Sequence, residues 1–415
     1  MESWRRWTGI GVALGVVAAL FPAVVGQLGG DLDPVDPLGR MSEQRGILPP
    51  SPDLEGLNLL RLKLEPERVT SPLRHGLNAE LTLEPALQRS ALSVMKRYDL
   101  PEAGVVLMEV KTGNVLVYAS HVQTGEPFDV NLRAEAPAAS IFKIVTAASL
   151  LENAAVTAQT EQCYRGGQSR IVPSELSDDP SRDRWCASLA MAMGRSINVV
   201  FGRLAQRHLT PEMLTETAGA FGFGAPVPFD VEGETLGIDL PSDPLEFARS
   251  AAGFWHTSLS PLGGASIAQT VANGGVTFKP RIVRAVFEDT EAVWKLPAEP
   301  TTLRRAIPAR SAHELTKMML QTVASGSAFK TFHEPSGKPF LPHIRVASKT
   351  GTLTRHEENR HYTWFVGFAP ADNPEVAVSA LVVNTPVWRI KGPFLAREVL
   401  RAYFAKREYP GVVAP

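Results

Sequence analysis

The chain reads as an α/β (α+β) protein. One antiparallel sheet is built from both chain ends and covered by the terminal helices, and an all-helical subdomain is inserted between. Three observations predict this. Strand-like segments collect at the two ends of the sequence, helical periodicity fills the middle, and the strands are joined by connections short enough to favour antiparallel neighbours. With 415 residues, of which 44% are hydrophobic and 20% charged, the chain can build one large core. A ligand site belongs in the cleft between sheet and insert.

In chain order, the basic Trp4-Arg5-Arg6-Trp7 precedes an uncharged run, Thr8–Gly26, and the acidic Asp31, Asp33 and Asp36 follow. Residues 1–27 therefore read as a single-pass anchor in the cytoplasmic membrane, with the rest of the chain outside the cytoplasm. A cleaved signal segment ending near Val24-Val25-Gly26 is the alternative. Residues 28–75 carry Pro34, Pro37, Pro49, Pro50, Pro52, Pro66 and Pro72 and read as a linker. The folded domain spans 76–410.

Within that domain, 79–83 is a short strand. Pro85 starts a helix reaching about Tyr98, with Leu87, Ala91, Val94 and Met95 on one side. Segments 103–109 and 114–119 form a hairpin turned by Lys111-Thr112-Gly113. Helices are expected at 138–153, 186–194, 198–208, 211–220, 262–273 and 311–324. Strands return at 344–349, 362–368 and 375–384, and a helix over 394–406 closes the chain.

A net charge of -1 leaves no basic excess for phosphates, so nucleic acid is not an expected partner. Two cysteines, Cys163 and Cys186, suit one disulfide in an exported chain, two free thiols being the alternative. His356 and His361 are spaced too widely for a zinc-binding helix, and no paired Cys-x-x-Cys motifs occur, so no metal is expected.

The chemistry centres on Ser140-Ile141-Phe142-Lys143. Serine and lysine three residues apart share a helical face, and this pair lies at the start of an apolar helix behind Pro137. A capping serine with a lysine snorkelling to solvent is the alternative. The same spacing occurs at Ser93/Lys96, deep inside an amphipathic helix, and at Ser327/Lys330, in a loop after a helix. Neither shares the apolar helix start. Ser196-Ile197-Asn198 falls in a turn between helices, and Lys349-Thr350-Gly351-Thr352 lies on a strand leading to Trp364.

In this order the three motifs resemble those of the penicillin-binding protein transpeptidases and the related serine β-lactamases. The likeness runs over about residues 76–408. It includes Leu81–Gln88, Gly104–Val110, Gly113–Ser120, Phe221-Gly222-Phe223-Gly224, Ala252–Ala265, Ala272-Asn273-Gly274-Gly275 and Trp364–Pro370. The flanking segments are more like penicillin-binding proteins than class D β-lactamases.

The resemblance implies a membrane-tethered D,D-transpeptidase acting on D-Ala-D-Ala stem peptides of peptidoglycan through a serine acyl-enzyme, and binding β-lactam antibiotics. Ser140 would be the nucleophile, Lys143 the base, Ser196 the proton relay, and Lys349 part of the catalytic and carboxylate-binding set. Asn198, Thr350, Gly351 and Thr352 would bind substrate. No cofactor is implied. Residues 1–75 hold no room for a glycosyltransferase domain, and a glycosyltransferase is one candidate partner. D,D-carboxypeptidase, β-lactamase and non-catalytic scaffold readings stay open at this level.

Overall fold

The computed structural model describes residues 52–415. The expected anchor, and the linker up to residue 51, lie outside them. Among the described residues no helix is long and apolar enough to cross a membrane.

The main sheet has five strands in the order Ala347–Arg355, Arg360–Ala369, Val376–Asn384, Glu102–Glu109 and Val115–Val122, all neighbours antiparallel. It is assembled from both chain ends, as expected. Its central strands are continuous apolar runs because both faces are covered. Side chains alternate: Trp364, Val366, Phe368, Ala377 and Leu381 enter one core, and Phe365, Ala369, Val376, Val378 and Ala380 the other.

The second core holds the terminal helices Pro85–Arg97 and Gly392–Lys406 through Leu87, Val94, Met95, Leu395 and Val399. Across the sheet lies helix Pro261–Ala272, nearly every residue of which is buried. Gly264 allows the close approach, since a Cβ there would sit 2.4 Å from Ser379 Oγ and 3.0 Å from Val366 Cγ2.

Two expectations need correction. Residues 52–75 are not wholly a linker. Lys63–Leu64 and Val69–Pro72 join Leu77–Leu81, Val283–Glu288 and Glu291–Lys295 in a second five-stranded sheet. Val69, Ala79, Leu81, Val283 and Val286 form its core, while Pro66 sits in a turn closed by Glu65 N–H to Arg68 C=O and Pro72 ends a strand. The prolines punctuate strands there.

Nor is the insert all-helical. It is mainly so, but it also contains the ribbon of Glu161–Tyr164 with Trp185–Ser188 and the paired Val276–Phe278 and Thr302–Arg305. The alternation in 283–288 and 291–295, separated by Asp289-Thr290, is hairpin patterning. A further helix, Pro244–Ala251, is capped by the Asp243 carboxylate, which accepts from the N–H groups of Leu245 and Glu246.

Gly264→Val should cost about 1–3 kcal/mol by overpacking the seam between helix and sheet. A urea midpoint equal to that of the native chain would refute the close contact.

Candidate active site

Pro137 and Ala138 are held before the first functional side chain appears. Trp364 donates its indole N–H to the Pro137 carbonyl at 2.9 Å, and the Ala138 N–H donates to Thr257 C=O at 3.0 Å. Ala139 takes a left-handed φ of 48°, and the chain then makes a 3-10 turn, Ala139–Phe142, before the α-helix Lys143–Asn153. The single helix expected over 138–153 is thus two pieces, with Ser140 in the turn that precedes the α-helix.

Gly253 backs this turn at a φ of 87°, where a Cβ would lie 2.3 Å from the Ala139 carbonyl oxygen and 2.9 Å from Ser140 Cα. On the other side Gly351 leaves room for Ala139 and Ile141, each 3.3 Å from where its Cβ would be.

Lys143 is fully buried. Its Nζ lies 2.9 Å from Ser140 Oγ and 2.7 Å from Asn198 Oδ1, and it also donates to the Ala252 carbonyl. Burial, reinforced by the nearby Lys349 charge, holds this amine well below the usual lysine range. Such an amine need not carry three protons. Neutral, it donates to Asn198 and Ala252 and keeps its lone pair for the Ser140 hydroxyl.

Ser196 closes helix Leu189–Arg195 in a left-handed conformation, φ 59°, and Asn198 begins helix Asn198–His208. This sharp turn delivers a hydroxyl and an amide to neighbouring points. Lys349, on the edge strand of the main sheet, donates to Ser196 Oγ at 2.9 Å and to Thr350 C=O at 2.7 Å. Burial lowers its amine to about 7. Its pairing on the next strand is with Val366, and Thr352 pairs with Thr363. Thr350 and Thr352 share one strand face, and Thr352 is exposed.

The fold therefore gathers these residues into two hydrogen-bonded sets, Ser140 with Lys143 and Asn198, and Ser196 with Lys349 and Thr350, joined through the Ser196–Asn198 turn, with Gly351 packed beneath the serine turn. Cys163 and Cys186 are bonded to each other and face across the 161–164/185–188 ribbon, and neither makes a hydrogen bond to a side chain of that cluster.

Sequence reasoning missed several contributors. Ser327 is no nucleophile partner for Lys330, yet its Oγ lies 2.5 Å from Thr350 Oγ1 and its N–H donates to Gly194 C=O at 2.9 Å. Gly253 and the Ala252 carbonyl stood in a quoted stretch with no signal of their contact. Gln168 accepts from Asn198 Nδ2 at 2.6 Å through its backbone, which no side-chain motif encodes.

Gly253→Ala should push the Ala139–Ser140 backbone aside and lower Ser140 reactivity toward a serine-directed acylating reagent on the order of 100-fold. Gly224→Ala is the control: its φ of 85° is as unfavourable, but nothing lies within 4 Å of its Cβ. Equal losses in both variants would show that backbone strain, not contact with the serine turn, is what matters.

The family described as the penicillin binding protein transpeptidase domain matches residues 103–403. The peptidoglycan D,D-transpeptidase PbpA of Mycobacterium tuberculosis (strain H37Rv) is 29% identical over 355 residues, covering 74% of this chain and 68% of that protein.

Two solved structures from that organism share the fold. The crystal structure of PBPA has a TM-score of 0.64 at 24% identity, covering 79% of this chain and 81% of the other. Penicillin-binding protein A solved as a penicillin G acyl-enzyme complex has a TM-score of 0.62 at 24% identity, covering 80% of each chain. The match over residues 103–403 takes in Ser140, Ser196 and Lys349 together with the sheet that carries the last of them, and the chain belongs to the penicillin-binding protein transpeptidase domain family.

Proposed function

We propose that the chain is a peptidoglycan D,D-transpeptidase that acts on D-Ala-D-Ala stem peptides through an acyl-enzyme on Ser140 and is acylated at that residue by β-lactam antibiotics. The observation that carries this reading is the 2.9 Å contact between Ser140 Oγ and the buried Lys143 amine. The family membership and the PbpA relative support it.

In the proposed reaction, Lys143 takes the Ser140 proton as Oγ attacks the carbonyl of the penultimate D-Ala. The C=O becomes an oxyanion, received by the backbone N–H groups of Ser140 and Thr352. Ser196 gives its proton to the terminal D-Ala nitrogen and regains the one relayed from Lys143, the C–N bond breaks, and free D-alanine leaves an ester on Ser140. An acceptor amine then attacks the ester carbonyl. A new amide forms, the Ser140 oxygen departs, and the proton lost by the amine returns to it through the same groups.

Lys349 in its ammonium form, with the Thr350 and Thr352 hydroxyls, binds the terminal carboxylate, and Asn198 holds the peptide amide. An arriving carboxylate favours protonated Lys349, so an amine that titrates near 7 in the free protein gains charge as substrate binds.

The chain's surroundings belong to the same proposal. The basic residues before Thr8–Gly26 and the acidic ones after it support a membrane tether with the catalytic domain on the outer side, and the Cys163–Cys186 bond suits an oxidising compartment. There a glycosyltransferase partner would supply polymerised strands, and the expected domain of residues 76–410, extended by the strands at 63–64 and 69–72, would act as the catalytic unit.

Labelling with a fluorescent penicillin tests the assignment. Ser140→Ala should take no label. Lys143→Ala should be acylated roughly 10²–10⁴-fold more slowly, the usual loss for a general base. Equal labelling of native chain and Ser140→Ala would remove Ser140 from its role, and normal acylation of Lys143→Ala would remove the lysine from its own.

A further inference from the structure

We propose that the disulfide-stapled segment 161–188 is a positioning device that fixes the rotation of the Asn198 amide and thereby keeps the Lys143 lone pair available to Ser140. This rests on the acyl-transfer reading above.

The Asn198 amide is engaged at both ends, with its second N–H and second lone pair left for the peptide amide. Its Nδ2 donates to the Gln168 carbonyl at 2.6 Å, and its Oδ1 accepts from Lys143 Nζ at 2.7 Å. A backbone carbonyl only accepts, so it decides which end of the amide turns toward the lysine. With Oδ1 there, Lys143 spends its N–H groups on Asn198 and Ala252. Rotated by a half turn, the amide would offer N–H to the amine and claim the lone pair that the Ser140 proton needs.

The loop carrying Gln168 lies directly on the start of helix Asn198–His208. The Val199 N–H donates to Gly167 C=O at 3.0 Å. Gly167 has a φ of 62°, and a Cβ on it would lie 2.3 Å from Val199 Cβ, so only glycine fits. Glu175 pins this loop with both carboxylate oxygens, accepting from the N–H groups of Gly167 and Val172 at 3.0 Å each.

Arg203, on the Asn198 helix and fully buried at its side chain, ties the rest together. It donates to Glu175 C=O at 2.6 Å and Cys163 C=O at 2.8 Å, and it forks onto Asp183 at 2.7 and 3.0 Å. Arg165 reaches the same carboxylate at 2.7 Å. The guanidinium pulls Asp183 far below the ordinary carboxylate range. Cys163–Cys186 closes the base of the segment, where the two cysteines pair in register. A path of direct contacts therefore runs from staple to Arg203, to Glu175, to the 167–168 backbone, and to Asn198.

The test is stopped-flow acylation of the full chain by a fluorescent penicillin, resolving initial binding from the acylation step. Glu175→Gln keeps one acceptor for two N–H groups, and the double variant Cys163→Ala/Cys186→Ala removes the staple. Both should slow the acylation step on the order of tenfold with initial binding changed less than about twofold. In an Asn198→Ala background, Glu175→Gln should have no further effect, because the amide it positions is gone. Val286→Ala, in the second sheet, is the control for stability loss alone and should leave the acylation step unchanged.

Native rates in both the Glu175 and the double-cysteine variants would overturn the inference. So would an equal Glu175→Gln loss with and without Asn198. A native chain that takes no label would overturn the acyl-transfer reading and this inference together.

Discussion

The structure turns on one buried amine. Lys143 lies without exposure inside the junction of the sheet and the helical insert. A charge there is costly unless it is compensated, and the less costly resolution is a shifted proton equilibrium. The surroundings supply two acceptors, from Asn198 and Ala252, a Ser140 hydroxyl for the lone pair, and a second buried amine, Lys349, whose charge disfavours a proton on the first. Each comes from a different part of the chain. The site is intact only when the 3-10 turn, the turn at Ser196, the stretch at Gly253 and the edge strand of the sheet are all in register.

That dependence has a stability side. Lys349 binds a proton in the unfolded chain up to the ordinary lysine value but in the folded chain only up to about 7. Between those limits the unfolded state holds more protons, so this group's contribution to stability rises with pH across that window and is least favourable below it. The protein accepts that penalty at the place where the proposed reaction needs a lysine that changes charge. Glycines at 253 and 351 show the same compromise in steric form, giving up side chains so that backbone can approach the serine turn.

Much of this was legible in the sequence. Strands of the main sheet stand out because two-sided burial writes long apolar runs such as 362–368 and 375–384. Terminal helices stand out because one-sided burial writes a stripe such as Leu87, Ala91, Val94 and Met95. Ser140, Ser196 and Lys349 were recoverable through motif order, which distinguished them from the copies at Ser93 and Ser327. What stayed hidden is carried by backbone or by pairing between distant segments. The Gln168 and Ala252 carbonyls have no residue signature, and the short strands at 63–64 and 69–72 become strands only because 77–81 and 283–288 complete the sheet beside them. Helix Pro244–Ala251 had a readable cap in Asp243-Pro244, outweighed by the polar loop around it.

The most direct measurement is the pH dependence of the second-order acylation rate by a fluorescent penicillin, which reports the free protein, in the native chain and in Lys349→Met. If a neutral Lys143 is the base, the native acid limb lies well below the ordinary lysine value of about 10.4. Removing the neighbouring positive charge then raises the Lys143 proton affinity and moves that limb to higher pH, whatever carboxylate affinity is lost with Lys349. A limb that stays in place, or moves to lower pH, would contradict the assignment of the buried amine as the base.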